Sequence, residues 1–117
     1  MKVIIAGSRN ISDTTNNRQH LINAINESFF VVTEVVCGMA WGVDNLGRIW
    51  AESNGIKVTQ FPADWKKYGK GAGIVRNLEM AEYADGLIAV WDGTSRGTAN
   101  MIQTAKNKGL KIYVYKI

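Results

Sequence analysis

The chain contains 117 residues, of which 46% are hydrophobic and 21% are charged, and its 14 basic and 10 acidic side chains give a formal net charge of +4. A domain of this length buries about two thirds of the surface of its unfolded chain, so it needs no disulfide or structural metal. Cys37 is the one cysteine and His20 the one histidine. This excludes an intramolecular disulfide and leaves too few ligands for an ordinary zinc site, so no metal and no cofactor are predicted.

No apolar run approaches the roughly 20 residues that cross a bilayer, and no apolar stretch long enough for a secretory signal follows a basic start. We therefore expect one domain over residues 1–117, no membrane partner and a cytoplasmic location. The small positive excess suits an anionic partner, although solubility alone accounts for it equally well.

Strands and helices alternate along the whole chain. Lys2 opens the first β-branched run, and the predicted strands are residues 2–6, 33–37, 56–61, 86–91 and 111–115. A helix follows each of the first four strands. The first begins after Asp13 as N-cap, the second ends at Asn54-Gly55, the third covers residues 71–84 and the fourth covers residues 98–108.

Apolar spacing predicts which face of each helix is buried. In the first helix the stripe is Leu21, Ile22, Ile25 and Phe29. In the third helix it is Ile74, Leu78 and Ala81.

This alternation predicts the fold class. Strands that alternate with helices of ten or more residues pair in parallel through right-handed crossovers. We therefore predict an α/β domain with a single Rossmann-like, doubly wound parallel sheet of about five strands and helices on both faces. The long connection over residues 62–70 follows the third strand at the edge where such sheets bind ligands, and it is a candidate lid.

Glycine-bearing turns cluster at that same edge, over residues 7–9, 38–42, 69–73 and 92–98. A missing Cβ lets the backbone approach a ligand, and the N–H groups at a helix start hold an anion such as phosphate. Glycine is also what a tight turn requires for structural reasons alone. The presence of four glycine-bearing turns at one edge favours ligand binding. The GxGxxG and GxxxxGK[ST] motifs are absent, which excludes an ordinary dinucleotide dehydrogenase and a P-loop NTPase.

The turns and the start of the third helix carry side chains suited to a nucleotide. Arg9 and Arg76 offer planar forks for phosphate, and Ser8, Ser95 and Thr98 supply hydroxyl donors. Asp44 is placed either to accept bonds from a ribose or to complement the dipole of its helix. Nearby aromatic residues could stack on a base or serve in packing: Trp41, Trp65, Tyr68 and Trp91. His20 is expected at the surface and Cys37 in packing.

The motifs Gly7-Ser8-Arg9, Gly38-Met39-Ala40-Trp41-Gly42-Val43-Asp44, Arg76-Asn77 and Gly97-Thr98 resemble the SLOG superfamily in their order. Within it they are most similar to the small YspA-like, YpsA-related branch. The resemblance implies that a nucleotide or nucleotide-derived small molecule binds at the glycine-rich edge. The expected ligand-binding residues are Gly7, Ser8, Arg9, Gly38, Ala40, Gly42, Asp44, Arg76, Asn77, Asp92, Gly93, Ser95, Gly97 and Thr98.

The resemblance leaves the activity open. The LOG phosphoribohydrolases cleave a base from a nucleoside monophosphate and use a catalytic arginine. The resemblance implies that Arg76 corresponds to this arginine. Met101 stands where those hydrolases have a glutamate, and a thioether cannot do the work of a carboxylate. A different acid could substitute, and the candidates are Asp44, Glu79 and Asp92. Arg76 and Asp44 are the candidate catalytic residues. A binding or sensing protein is slightly favoured over an N-glycosidase.

Two further alternatives follow from the same resemblance. DprA-like binding of single-stranded DNA would use the basic and aromatic cluster of Trp65, Lys66, Lys67, Tyr68 and Lys70. A sensor or sponge for NAD-derived signals would use the glycine-rich edge. A nucleic-acid partner is less favoured than a small molecule, and a homodimer is an expectation from the resemblance alone.

Overall fold

The computed structural model describes residues 1–38 and 42–117. The described residues form five strands, β1 (Lys2–Gly7), β2 (Glu34–Gly38), β3 (Lys57–Phe61), β4 (Gly86–Trp91) and β5 (Lys111–Lys116). They also form five α-helices, α1 (Thr15–Ser28), α2 (Val43–Ser53), α3 (Trp65–Tyr68), α4 (Ala72–Tyr83) and α5 (Arg96–Asn107). A 3₁₀ turn over Gly69–Gly71 joins α3 to α4.

The five strands make one parallel sheet in the order β3-β2-β1-β4-β5. Ile4 of β1 lies opposite Val36 on one side and Leu87 on the other. The chain builds outward from β1 to β3 and then crosses to β4, so the winding direction reverses between β1 and β4. This topology confirms the predicted doubly wound sheet. A crevice for ligands forms where such a reversal occurs, at the carboxyl ends of the strands.

Two apolar layers enclose the sheet. Alternate residues of β1 point to opposite faces, so that Ile5 packs with Leu21 beneath α1 and α2, whereas Ile4 packs with Met80 beneath α4 and α5. Ile4 and Ile5 are both fully buried, and burial of each such side chain stabilises the fold by roughly 1.5 to 3 kcal/mol. The two layers therefore hold β1, and the turn that follows it, in a fixed position.

The predicted N-cap and two residues of the predicted buried stripe of α1 are wrong. Ile22, one of these two, is exposed at the helix surface. Thr14 rather than Asp13 is the N-cap, because its side chain accepts a hydrogen bond from Asn17 N at 3.1 Å. Asp13 instead pairs with Arg18, whose Nη2 donates to Oδ2 at 2.8 Å. Phe29 does not extend the buried stripe. It is the left-handed C-cap residue, with φ of 59°, and it is 90% exposed.

The predicted face of α4 is wrong at Ile74 and Leu78, whereas Ala81 is buried as predicted. Ile74 is 60% exposed and Leu78 is also exposed, whereas Arg76, Asn77 and Met80 are buried. Apolar spacing predicted the wrong face because the polar residues Arg76 and Asn77 lie on the inner side of this helix. There they line a cavity at the edge of the sheet instead of contacting solvent. We find an exposed apolar stripe on the outer side of α4 instead.

The connection over residues 62–70, predicted as a lid, contains α3. Asp64 caps this short helix by accepting from Lys67 N at 3.1 Å. The α5 helix begins at Arg96, two residues before its predicted start. Fraying and capping set such boundaries, and apolar spacing does not encode them.

Cys37 and His20 both pack against other parts of the fold. Cys37 is fully buried in the apolar layer, and burial raises the pKa of its thiol to about 11. His20 is half-buried rather than exposed, with Nδ1 3.2 Å from the Tyr115 hydroxyl. Over residues 1–38 and 42–117, no helix combines the length and apolar character that crossing a membrane requires. In the same ranges, no group of three or more His, Cys, Asp or Glu side chains is arranged to hold a metal ion.

Candidate functional site

A cavity of about 250 Å³ opens at the carboxyl edge of the sheet, beside the reversal point between β1 and β4. We call it the central cavity. It is lined by Ala6, Gly7, Arg9, Asp44, Arg76, Asn77, Met80, Ser95, Gly97, Thr98 and Met101. Its volume is near the lower end for small-molecule sites, so it suits one nucleotide or one part of a larger ligand.

Four elements bring these residues together. The end of β1 supplies Gly7, and the first turn of α2 supplies Asp44. The inner face of α4 supplies Arg76, while Thr98 comes from the first turn of α5. Gly7 is required for this convergence, because a Cβ there would overlap Val90 O and the side chain of Val43. Parallel strands with a helix after each one therefore place all four groups at one edge.

Arg76 is held in a buried position against Gly38. A Cβ on Gly38 would overlap the guanidinium of Arg76 and would stand 2.9 Å from Asp44 Oδ2. Arg76 Nε donates to Asn77 Oδ1 at 3.1 Å. Asn77 Nδ2 in turn donates to Asn100 Oδ1 at 2.9 Å, which ties α4 to α5. The position of the guanidinium is thus set by its neighbours before any ligand arrives.

The charges of the central cavity act on one another. Burial and then the neighbouring charge of Arg9 lower the pKa of Arg76, while Asp44 acts in the opposite direction. Two guanidinium groups that repel each other in a partly buried space are stabilised when an anion binds between them. The electrostatic arrangement therefore favours an anionic ligand.

Asp44 is a buried carboxyl group with an unusual pKa. Burial raises the pKa of Asp44 to about 7, against the lowering effect of Arg76, Arg9 and the N–H groups of Gly38 and Gly7. A carboxyl group with this pKa exchanges a proton near neutral pH, and such groups concentrate at functional sites. Asp44 can therefore either accept hydrogen bonds as a carboxylate or donate one as an acid.

The start of α5 forms one wall of the central cavity. Ser95 is its N-cap and makes no side-chain capping bond. The first N–H groups of a helix lack partners within the helix, and the helix dipole adds a partial positive charge there. Nothing lies within 4 Å of the point where a Cβ of Gly97 would stand, so an anion has direct access to this backbone.

The loop before α5 is organised by Asp92. Its carboxylate accepts from the N–H groups of Thr94 and Ser95 at 2.8 and 2.9 Å, and these two bonds lower the pKa of Asp92. Ser8 is fully buried, and its hydroxyl accepts from Asp92 N at 3.1 Å. Gly93 takes a left-handed φ of 87° at the loop tip. These residues join the turn after β1 to the turn after β4.

A second cavity, of about 350 Å³, adjoins the first through Arg9, which lines both. We call it the flanking cavity. It lies between the loop after β1 and the start of α2, and it is lined by Arg9, Asn10, Ile11, Ser12, Asp13, Gly42, Asn45 and Leu46.

The predicted ligand-binding residues fall into four groups. Eight of the fourteen line the central cavity: Gly7, Arg9, Asp44, Arg76, Asn77, Ser95, Gly97 and Thr98. Gly42 lines the flanking cavity. Ser8, Gly38, Asp92 and Gly93 are not among the residues that line either cavity. Ala40 lies outside the described residues.

The predicted ligand-binding residues do not include Ala6, Met80 or Met101, yet all three line the central cavity. The sequence analysis names Met101 only as the residue in place of the glutamate of the hydrolases. Met80 follows Arg76 by four residues and Met101 follows Thr98 by three, so helical spacing could have placed both on the cavity side. Ala6 carries no such signal, because it is one more small apolar residue in a buried strand. The thioethers give the cavity an apolar, polarisable surface that can contact an aromatic ring.

The aromatic residues considered as base platforms lie elsewhere. Trp65 is 54% exposed on α3, beside the exposed Tyr68, and neither lines the central or the flanking cavity. Trp91 is half-buried, and its Nε1 donates to Ser95 O at 3.1 Å. Trp41 lies outside the described residues.

Comparison with known structures supports the fold. The chain resembles DNA processing protein A (DprA) from Streptococcus pneumoniae with a TM-score of 0.71 and 16% sequence identity. The likeness covers 97% of this chain but 49% of the DprA chain, so the chain spans about half the length of that protein.

Comparison with known sequences identifies the family. The chain is 34% identical to the Gene 61 protein of Mycobacterium phage D29, over 95% of this chain and 93% of that protein. The model of YAcAr, the YspA, cpYpsA-related SLOG family, matches residues 1–68. This match spans more than half of the chain and includes Gly7, Arg9 and Asp44 of the central cavity. The chain therefore belongs to the YspA, cpYpsA-related SLOG family.

Proposed function

We propose that the chain binds a nucleotide or a nucleotide-derived phosphate in the central cavity, as a binding or sensing protein. One observation carries the proposal: Arg9, Arg76 and the start of α5 meet around a single cavity at the reversal point of the sheet. Arginine forks and helix N–H groups are the usual partners of phosphate. Family membership supports a nucleotide-related function in general.

The rest of the cavity suits the other parts of a nucleotide. Asp44 is positioned to accept hydrogen bonds from ribose hydroxyls in its ionised form, and Met80 and Met101 offer an apolar surface to a base. Asn77 lines the cavity but is already bonded to Arg76 and Asn100, so we assign it a positioning role.

Isothermal titration calorimetry with AMP tests the proposal. Arg9→Ala is expected to weaken binding about ten- to hundredfold, since a charge-assisted hydrogen bond contributes roughly 1.5 to 3 kcal/mol. Lys111→Ala removes one positive charge at an exposed position away from the cavity and serves as the control. Equal weakening by both variants would show that net charge, rather than the central cavity, attracts the nucleotide. Absence of binding by AMP, ADP, ADP-ribose and NAD would refute the proposed function, including a sensor of NAD-derived signals.

A second candidate function is hydrolysis of the N-glycosidic bond of a nucleoside monophosphate. Met101 lines the cavity where the hydrolase resemblance needs a carboxylate, which argues against it. Asp44 argues for it, because an acid with a pKa of about 7 suits general acid–base catalysis. Chromatography of AMP incubated with the protein would detect free adenine. Turnover on the order of 1 s⁻¹ that is lost in Asp44→Asn would assign the reaction to this residue.

A third candidate is binding of single-stranded DNA on α3. Trp65 and Tyr68 are exposed there, and Lys67 Nζ lies 5.1 Å from the Tyr68 ring centroid. Exposed rings with adjacent lysines form the stacking and charge pattern of such sites. Fluorescence anisotropy with an oligo-dT probe, compared between the wild type and Trp65→Ala, tests it. Binding with a steep salt dependence and no response to mononucleotides would favour this candidate over the central cavity.

A further inference from the structure

A third cavity, of about 200 Å³, lies between α1 and α2. We call it the interhelix cavity. It is lined by Arg18, Leu21, Ile22, Leu46, Ile49, Trp50, Ser53 and Asn54. Leu46 also lines the flanking cavity, and the other seven residues line neither the flanking nor the central cavity. The interhelix cavity is therefore a separate space that the proposed function does not use.

The middle of the interhelix cavity is apolar. Leu21 and Leu46 are buried in the apolar layer beneath the two helices, Ile49 and Trp50 are half-buried, and Ile22 is 37% exposed at the rim. The indole ring of a tryptophan offers an aromatic ligand a stacking surface. An apolar cavity of roughly 150 Å³ is large enough to bind benzene. The interhelix cavity is therefore large enough for one aromatic ring with a short side chain.

Polar groups stand at the two ends of the interhelix cavity. Because α1 and α2 both follow strands of one parallel sheet and cover the same face of it, they run in the same direction. Arg18 lies in the first turn of α1, whereas Ser53 is the last residue of α2 and Asn54 is its C-cap. Residues 46–54 span about 12 Å at the rise of an α-helix. The cavity thus has a cation near one end and hydroxyl and amide groups at the other.

Arg18 can bind an anion without losing its partner in the chain. Its Nε and Nη2 donate to the two carboxylate oxygens of Asp13, the Nη2 bond at 2.8 Å. These bonds use one side of the guanidinium and two of its five N–H groups. The side between Nη1 and Nη2 carries two more parallel N–H groups, the geometry that a carboxylate accepts. Of the eight lining residues Arg18 carries the one charge, so the cavity suits a single negative group.

We propose that the interhelix cavity binds a small aromatic carboxylic acid. The ring lies against Trp50, Ile49 and Ile22, and the carboxylate pairs with Arg18. A carboxylate fits better than a phosphate, because one guanidinium edge compensates one negative charge and the walls beside it are apolar. The site is independent of the proposed function, since neither Arg18 nor Trp50 lines the central cavity.

Isothermal titration calorimetry with 3-phenylpropionate and 3-phenylpropanol tests the pairing with Arg18. The two probes share a ring and a chain and differ in the carboxylate, so the ratio of their affinities measures the contribution of the charge. The wild type is expected to bind the acid about ten- to hundredfold more tightly than the alcohol. Arg18→Gln should reduce this ratio to below about threefold and leave the affinity for the alcohol unchanged. Lys108→Gln also removes a cation from an exposed ion pair, but outside the cavity, and it should keep the wild-type ratio.

Nuclear magnetic resonance tests the location of the ring. In the ¹H–¹⁵N spectrum of the wild type, the assigned indole signal of Trp50 should shift when 3-phenylpropionate is added, and that of the exposed Trp65 on α3 should not. Ile22→Ala should weaken the binding of both probes about three- to tenfold, because it removes apolar contact area. Val31→Ala trims an exposed aliphatic side chain outside the cavity and should behave as the wild type.

Each result either supports or refutes the site. Absence of binding by both probes at millimolar concentration refutes it, and equal affinities of the wild type for acid and alcohol refute the pairing with Arg18. A preference for the acid that survives in Arg18→Gln, or an unshifted Trp50 signal, also refutes it, because the acid then binds elsewhere. The Trp50 signal is measured on the wild type, so this outcome does not depend on the folding of a variant. Arg18→Gln should bind AMP as the wild type does, so failure of this site leaves the proposed function standing.

Discussion

The buried carboxyl group of Asp44 should make the stability of the unliganded protein depend on pH in a direction opposite to that of most acidic residues. Its pKa is about 7 in the folded chain and has an ordinary value of 3.8. The folded state therefore binds this proton more tightly than the unfolded state does. The resulting stabilisation is complete below about pH 4 and is lost as the pH rises through 7.

The size of the effect follows from the two pKa values. Each unit of difference corresponds to about 1.4 kcal/mol. Between pH 5 and pH 8, the contribution of Asp44 to the free energy of unfolding should fall by about 2 to 3 kcal/mol. Most carboxylates give the reverse sign, because partners in the folded state lower their pKa. The decline is therefore a specific signature of this residue.

Urea unfolding from pH 5 to pH 8 measures the free energy at each pH, in the wild type and in Asp44→Asn. Both proteins should carry His20→Gln, because histidine is the side-chain type that ordinarily titrates in this range. The wild-type background is expected to lose about 2 to 3 kcal/mol across the range, whereas Asp44→Asn should stay nearly flat. A flat profile in both proteins, or the same decline in both, would refute the assignment of this pKa to Asp44.

Three more predictions concern the same region and the outer face of α4. Gly38→Ala should displace the Arg76 guanidinium, lower the free energy of unfolding by roughly 1 to 3 kcal/mol and weaken AMP binding; Gly97→Ala, whose Cβ meets no atom within 4 Å, should not lower stability in the same urea titration. Arg76→Ala should destabilise the protein more at pH 8 than at pH 5, since Asp44 is charged only at the higher pH; equal losses in urea titrations would contradict their coupling. If the exposed Leu78 lies at the interface of a homodimer, Leu78→Lys should convert the dimer into a monomer, as measured by sedimentation velocity. A monomeric wild type would contradict the homodimer.

The sheet was predictable because its central strands are buried on both faces. Such strands appear as unbroken β-branched runs, as in residues 2–6, and the helices between them have the length of parallel crossovers. The orientation of α4 was not predictable from apolar spacing. Ile74 and Leu78 have the spacing of a core-facing stripe, but Arg76 and Asn77 lie on the inner side of the helix and line the central cavity. The apolar spacing of the helix carries no signal for this orientation.

The site was predictable where it depends on backbone chemistry. Eight of the eleven residues that line the central cavity are glycines, arginines or other polar residues that the sequence analysis expects to bind a ligand. The structural role of Ser8 was not predictable, because its hydroxyl accepts a hydrogen bond from the backbone N–H of Asp92, 84 residues away in the chain. The raised pKa of Asp44 was hidden for the same reason, since it results from burial by distant parts of the sequence.

The family model matches the chain as far as residue 68, and the two cavities differ in how many of their lining residues lie within this matched stretch. Every wall of the flanking cavity comes from residues 9–46, within the matched stretch. Seven of the eleven walls of the central cavity come from residues 76–101, beyond it. Substitutions in and just before α4 and α5 alone would therefore reshape most of the central cavity and leave every wall of the flanking cavity intact. The two cavities can thus diverge independently within the family.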